Sequence, residues 1–105
     1  MKASELRIGN FIHIHGKLIE IQKEDFNFDE KFMTSIIITE KWLFKFGFKG
    51  TEGYYYDSEI GAIEFYYEGE ILVCDIFDHR NENIKYIHQL QNIYFALTNK
   101  ELRFN

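Results

Sequence analysis

Five side chains combine aromatic surface with cationic charge in a way that suits ligand binding: Tyr54, Tyr56, Tyr66, Arg80 and Lys85. Tyr54-Tyr55-Tyr56 is followed ten residues later by Tyr66-Tyr67. A tyrosine ring gives large contact area at low entropic cost, so it stacks on nucleobases and anchors protein interfaces alike. Along a strand alternate tyrosines point to opposite faces, so only part of the run lines one surface. The plainer reading of the run is packing within a sheet. A nucleotide also needs cations for its phosphates. Arg80 and Lys85 are the expected donors, with Lys41, Lys45, Lys49, Arg103 and helix N-termini near Glu40 and Ile84 as further sources.

Two other constellations suit metals. His13 and His15 fall on one strand face, with Glu20 expected opposite His13 as a third ligand or as the group that orients the ring. The plainer reading is a polar hairpin face. Asp75, Asp78 and His79 offer carboxylates and an imidazole near a strand end, and they converge only if the chain turns at Phe77. The plainer reading there is a solvated strand end. Neither set is assigned as a metal site, and no cofactor is expected. The chain has no glycine-rich phosphate loop, HExxH, G-x-S-x-G or EF-hand spacing, so no enzymatic activity is expected. His88, Gln91 and Phe95 are predicted to share a helix face turned from the sheet, where they would suit a subunit contact.

The elements that must position these groups follow from periodicity. Residues 11–23 alternate as a hairpin, and Gly16-Lys17 suits a turn with glycine first. That register pairs Ile14 with Ile19, Ile12 with Ile21 and His13 with Glu20. Residues 24–32 form a loop that folds Phe26, Phe28 and Phe32 over the core, and residues 33–38 form a strand. Thr39 caps a short helix over 40–46, with Trp42, Leu43 and Phe46 inward and Gly47 at its end. A short strand covers 54–57. A second hairpin, 62–67 with 70–77, turns at Glu68-Gly69 and pairs Phe65 with Leu72 and Ile63 with Cys74. Its apolar face is Ile63, Phe65, Leu72, Cys74 and Ile76. Its opposite face, with Glu64, Tyr66, Ile71, Val73, Asp75 and Phe77, is too apolar to stand free. A C-terminal helix over 84–97 starts at an Asn83 cap, buries Tyr86, Leu90, Ile93 and Leu97 on a stripe widened by Ile87 and Tyr94, and ends at Asn99 in the left-handed region or gives way to a capping box over 98–101. The fold class is α+β: an antiparallel sheet of two hairpins plus extra strands, a short middle helix and a C-terminal helix packed on the sheet.

Length and composition bound the rest. One hundred and five residues, 46% hydrophobic and 28% charged, make a single globular domain over 1–105. One cysteine, Cys74, excludes an internal disulfide. Residues 1–50 carry a net charge of +1 and residues 51–105 a net charge of −6. Glu52 to Asp78 holds eight carboxylates and no Lys or Arg. Duplex nucleic acid and membrane surfaces are bound through cationic stripes, so neither is an expected partner. The plainest role of the acidic stretch is a solvated, soluble sheet face. With no long apolar run and no secretory leader, the expected location is the cytoplasm. The apolar second sheet face and Phe95 point to a homo-oligomer.

ELRIGN (5–10), ITEKWLFKFGF (38–48) and IKYIHQLQNIYFALTNKEL (84–102) together resemble a group of small uncharacterised proteins of bacteriophages and prophages of gut bacteria. The resemblance covers about a third of the chain and implies no catalytic or binding residues. It does imply a phage accessory protein that binds a host protein or sequesters a nucleotide-derived immune signal. Two expectations follow: a non-enzymatic counter-defence sponge for a nucleotide-type ligand, or a protein–protein inhibitor or adaptor with an acidic, tyrosine-rich surface. A metal-dependent hydrolase built on Asp75, Asp78 and His79 is a third reading.

Overall fold

The computed structural model describes residues 1–51, 53–57 and 61–104. Glu52 and Glu59 of the acidic stretch lie outside the described residues. The fold is α+β, with two antiparallel sheets, a short middle helix and a C-terminal helix. The chain divides into two compact units, Met1–Ile37 with Tyr86–Glu101, and Ile38–Lys85 with Leu102–Asn105. The two predicted hairpins belong to different sheets, one in each unit.

In the first unit, β1 (Phe11–Ile14) pairs with β2 (Lys17–Glu20) and with β3 (Met33–Thr34). The turn is His15-Gly16, not Gly16-Lys17, and both residues have positive φ, 52° and 76°. That is the type I′ pattern, whose twist matches the strands. The register therefore pairs Ile12 with Ile19 and His13 with Leu18. It lies two residues from the expected pairing, a shift that preserves the faces because side chains alternate with period two. Ile12, Ile14 and Ile21 still reach the core with Leu6 and Met33. The 33–38 strand shortens to two residues, followed by a single Ile37–Tyr86 bridge. Phe26, Phe28 and Phe32 do not fold over the core: each is about two-fifths exposed, on or beside 3-10 turns at Lys23–Asn27 and Glu30–Phe32.

The C-terminal helix, α2 (Ile87–Thr98), starts three residues later than predicted, with extended Tyr86 at its N-cap in place of Asn83. Asn99 closes it in the left-handed region, φ 60° and ψ 24°. Its buried residues are Ile87, His88, Leu90, Gln91 and Tyr94, whereas Leu97 is exposed and Ile93 only half-buried. Ile87, Leu90 and Tyr94 are buried as expected, but the inward face also takes in His88 and Gln91, which were expected to turn from the sheet, so the aliphatic stripe alone does not centre it. A polar anchor sets it instead: Gln91 Oε1 accepts from Phe11 N at 2.8 Å, and Nε2 donates to Gly9 O at 3.0 Å.

In the second unit, α1 (Glu40–Lys45) starts as predicted at Thr39, whose Oγ1 accepts from Trp42 N at 3.4 Å. Five strands then run as a meander: β4 (Lys49–Thr51), β5 (Tyr54–Tyr56), β6 (Ile63–Glu68), β7 (Ile71–Ile76) and β8 (His79–Asn81). The β6–β7 turn is Gly69-Glu70 rather than Glu68-Gly69, with glycine first at φ 66°. Phe65 consequently faces Cys74, and Ile63 faces Ile76, again two residues from the expected pairing with the faces preserved. The inner face buries Tyr55, Ile63, Phe65 and Cys74. Phe48 meets Phe65 edge-on at 5.9 Å, Phe44 meets Tyr55 at 5.4 Å, and the Tyr55 hydroxyl donates to Glu40. That bond and burial push the Tyr55 phenol up to about 12.

Candidate functional site

The meander decides which of the five candidate side chains meet. Tyr54 pairs with Tyr66, Tyr56 with Glu64, Glu64 with Asp75, and Asp75 with Arg80. Directly paired residues point to the same side of a sheet. Tyr54, Tyr56, Tyr66 and Arg80 therefore share the outer face, together with Lys49, Glu64, Glu68, Ile71, Val73 and Asp75, while Tyr55 and Tyr67 point the other way. Lys85 is not in the sheet. Its backbone carbonyl accepts from Ile38 N at 3.0 Å, and its side chain is exposed.

The rings on this face stand open. Tyr54 and Tyr56 are 41% and 39% exposed, with centroids 6.2 Å apart and planes tilted by 39°. The Tyr54 hydroxyl is hydrogen-bonded to Glu64, and this bond, with burial and the charges of Glu64, Asp78 and Asp75, raises its pKa. The Tyr66 hydroxyl lies 3.4 Å from Asp75 Oδ1, and burial, followed by the Asp75 charge, raises its pKa as well. Both phenols stay neutral at physiological pH and act as donors to carboxylates.

Arg80 is already engaged. Its Nη1 lies 2.8 Å from Glu68 Oε2 and its Nε lies 3.2 Å from Glu82 Oε1. Glu64 and Asp75, by contrast, form no ion pair with another described residue. Arg80 reaches this face only because Phe77 and Asp78 both take positive φ, 51° and 66°, and fold β8 back on β7. No glycine marks that turn.

The metal constellations come apart. His13 faces Leu18, Glu20 faces Phe11, and His15 sits in the turn with its ring stacked on Phe32 at 4.2 Å. The chain does turn at Phe77, yet His79 pairs with Ile76 on the inner-face register, while Asp75 belongs to the outer one. Among the described residues no three His, Cys, Asp or Glu side chains gather as a metal-binding set.

The helix face assigned to a subunit contact is also occupied. Gln91 is fully buried, and His88 is buried with its ring parallel to Tyr86 at 6.1 Å. Phe95 lies under the Arg7 guanidinium at 4.2 Å. Arg7 also donates to Asn92 Oδ1 at 2.6 Å and to Glu101, and Asn10 Nδ2 donates to the same Asn92 oxygen at 2.9 Å. The segments 5–10 and 84–102, singled out as distinctive strings, are thus joined by a polar network. Sequence reasoning missed it because each residue alone reads as surface. The spacing Arg7-x-x-Asn10 against Gln91-Asn92 was the available signal.

Val73, expected on the half-apolar face, is buried, whereas Phe77 at the turn is exposed. No helix among the described residues is long and apolar enough to cross a membrane. No family model, curated protein or solved structure matches the chain.

Proposed function

We infer that the protein is a non-enzymatic binding module, an inhibitor or adaptor that meets a basic surface of a protein partner through the outer face of its five-stranded sheet. The observation that carries this reading is the charge left on that face. Three tyrosines stand beside Glu64 and Asp75, which form no ion pair among the described residues, while Arg80 is held by Glu68 and Glu82 and Lys49 stands at the β4 edge opposite Tyr56. Rings at low entropic cost supply contact area, and unpaired carboxylates supply steering and register toward positive charge. A host protein of basic character fits the phage-type resemblance.

Sequestration of a nucleotide-type signal is the second reading. The open tyrosine rings favour it, since they can stack a base. Lys49, opposite Tyr56, could meet a phosphate, but the engagement of Arg80, the position of Lys85 off the sheet and the carboxylates of Glu64 and Asp75 weigh against sequestration. Calorimetry separates the two. A basic peptide should bind with an affinity that falls as salt rises, and a panel of cyclic dinucleotides and cyclic ADP-ribose isomers should give no heat. Nucleotide binding lost in Tyr54→Ala and Tyr66→Ala would replace the protein-partner reading with the sponge.

A further inference from the structure

We propose that this outer face selects arginine over lysine in its partner, an inference that rests on the protein-partner reading. The pattern on the sheet is ring beside carboxylate in both directions. Glu64 stands opposite Tyr56 on β5 and opposite Asp75 on β7, and it lies two residues along β6 from Tyr66. Cross-strand neighbours have Cβ atoms about 4.5–5.5 Å apart, and residues two apart on a strand lie about 6.6 Å apart. A guanidinium laid flat on a tyrosine ring can therefore direct its fork of N–H donors at the adjacent carboxylate. The Tyr66 hydroxyl is turned to Asp75 Oδ1 at 3.4 Å, so that carboxylate is oriented and keeps acceptor sites for a second donor. An ammonium ion is a compact point charge without a plane to stack, so it satisfies ring and carboxylate together less well.

The same chain contains both arrangements. Arg7 sits 4.2 Å from the centre of the Phe95 ring while donating to Asn92 Oδ1 at 2.6 Å and to Glu101. Lys31 sits 5.0 Å from the centre of the Phe32 ring with Asp29 Oδ2 at 3.8 Å. The arginine makes closer contact with ring and acceptor at once. On the outer sheet face Lys49 stands opposite Tyr56 and Arg80 opposite Asp75, yet neither Glu64 nor Asp75 forms an ion pair with another described residue, so ring and acceptor remain open to an incoming guanidinium.

Fluorescence anisotropy of the full chain with labelled hexa-arginine and hexa-lysine peptides, at physiological salt, tests the proposal. The arginine peptide should bind about tenfold more tightly or better. A double Tyr54→Leu, Tyr56→Leu variant should bring the ratio close to one, and the double Tyr→Phe variant, which keeps the rings, should retain the preference. If the leucine variant fails to fold by circular dichroism, Glu64→Gln serves instead and should reduce arginine binding more than lysine binding. Equal affinity of the parent for both peptides overturns arginine selection and leaves the protein-partner reading standing. No binding of either peptide overturns both.

Discussion

The side chain of Gln91 serves Phe11 as a strand partner would. Its Oε1 accepts the Phe11 N–H at 2.8 Å, and its Nε2 donates to the Gly9 carbonyl at 3.0 Å. One amide thus covers two backbone groups on either side of Asn10, whose own N–H donates to Arg7 O at 3.1 Å and whose carbonyl accepts from Ile21 N at 2.8 Å. Backbone groups at such a bend have no ladder of their own, and burying them unpaired is costly.

Gln91→Leu should therefore destabilise by roughly 2–6 kcal/mol, since two buried backbone groups each lose a partner at about 1–3 kcal/mol. The volume is nearly conserved, so packing contributes little. Urea denaturation measures the loss. A change under about 1 kcal/mol would mean that water replaces the amide at both atoms.

Leu90→Ala tests the neighbouring position. Leu90 is fully buried, so its truncation should cost roughly 2–5 kcal/mol. Leu97 lies on the expected aliphatic stripe but is exposed, and Leu97→Ala should cost under about 1 kcal/mol. Equal losses in thermal melts would mean that Leu97 is buried along with Leu90.

The contrast between Leu90 and Gln91 shows what was legible. Element types, the Thr39 cap, the Asn99 end and the partition of tyrosines between faces follow from local propensity and period-two alternation. Both hairpin registers missed by two residues because turn position depends on which residue takes positive φ: His15 does so without being glycine, and Gly69 comes first in its turn. Those slips did no harm to the faces. The helix face and the place of Arg80 were harder. The first depends on partners eighty residues away in sequence, and the second on a Phe77-Asp78 turn that no glycine announces.

His88 links packing to pH. Burial lowers its pKa below the ordinary 6.5, against a smaller upward pull from Glu5, and its Nδ1 is buried without a hydrogen-bond partner. The unfolded chain then binds a proton that the folded chain resists. Stability is full above about pH 6.5 and falls as the pH drops from there through the folded-state pKa. His88→Phe keeps an aromatic ring beside Tyr86 and should flatten that part of the profile. Parallel melts from pH 7.5 to 5 measure it, and identical slopes for parent and variant would remove His88 as the cause.

Gly50 holds the tyrosine strand at close range. It pairs with Tyr55, and a Cβ at this position would come 2.2 Å from Tyr54 O and 2.7 Å from Tyr55 Cδ1. The first atom is backbone and cannot swing aside, so β4 and β5 must separate. Gly50→Ala should cost roughly 1–3 kcal/mol by overpacking. It should also shift the Tyr54–Tyr56 amide resonances and weaken binding at the outer face. Unchanged β5 resonances would show that the strands tolerate the methyl group.

Arg80→Ala separates the two functional readings by the sign of its effect. The side chain is partly exposed and pairs with Glu68 and Glu82, both exposed, so its removal should change stability by less than about 1 kcal/mol. Its effect on binding is electrostatic. Without the guanidinium, Glu68 loses its ion pair and Asp75 its cationic cross-strand neighbour, so the outer face becomes more negative. A basic partner should then bind roughly 2–5-fold more tightly, mainly through faster association, and the gain should shrink as salt is added. A nucleotide ligand would behave in the opposite way, because its phosphates lose the one cation that faces the tyrosines from β8. Association rates measured for parent and variant at low and physiological salt give the answer. Weaker binding of a basic peptide to Arg80→Ala would mean that the arginine contacts the partner directly, and the acidic face could no longer be the docking surface as drawn.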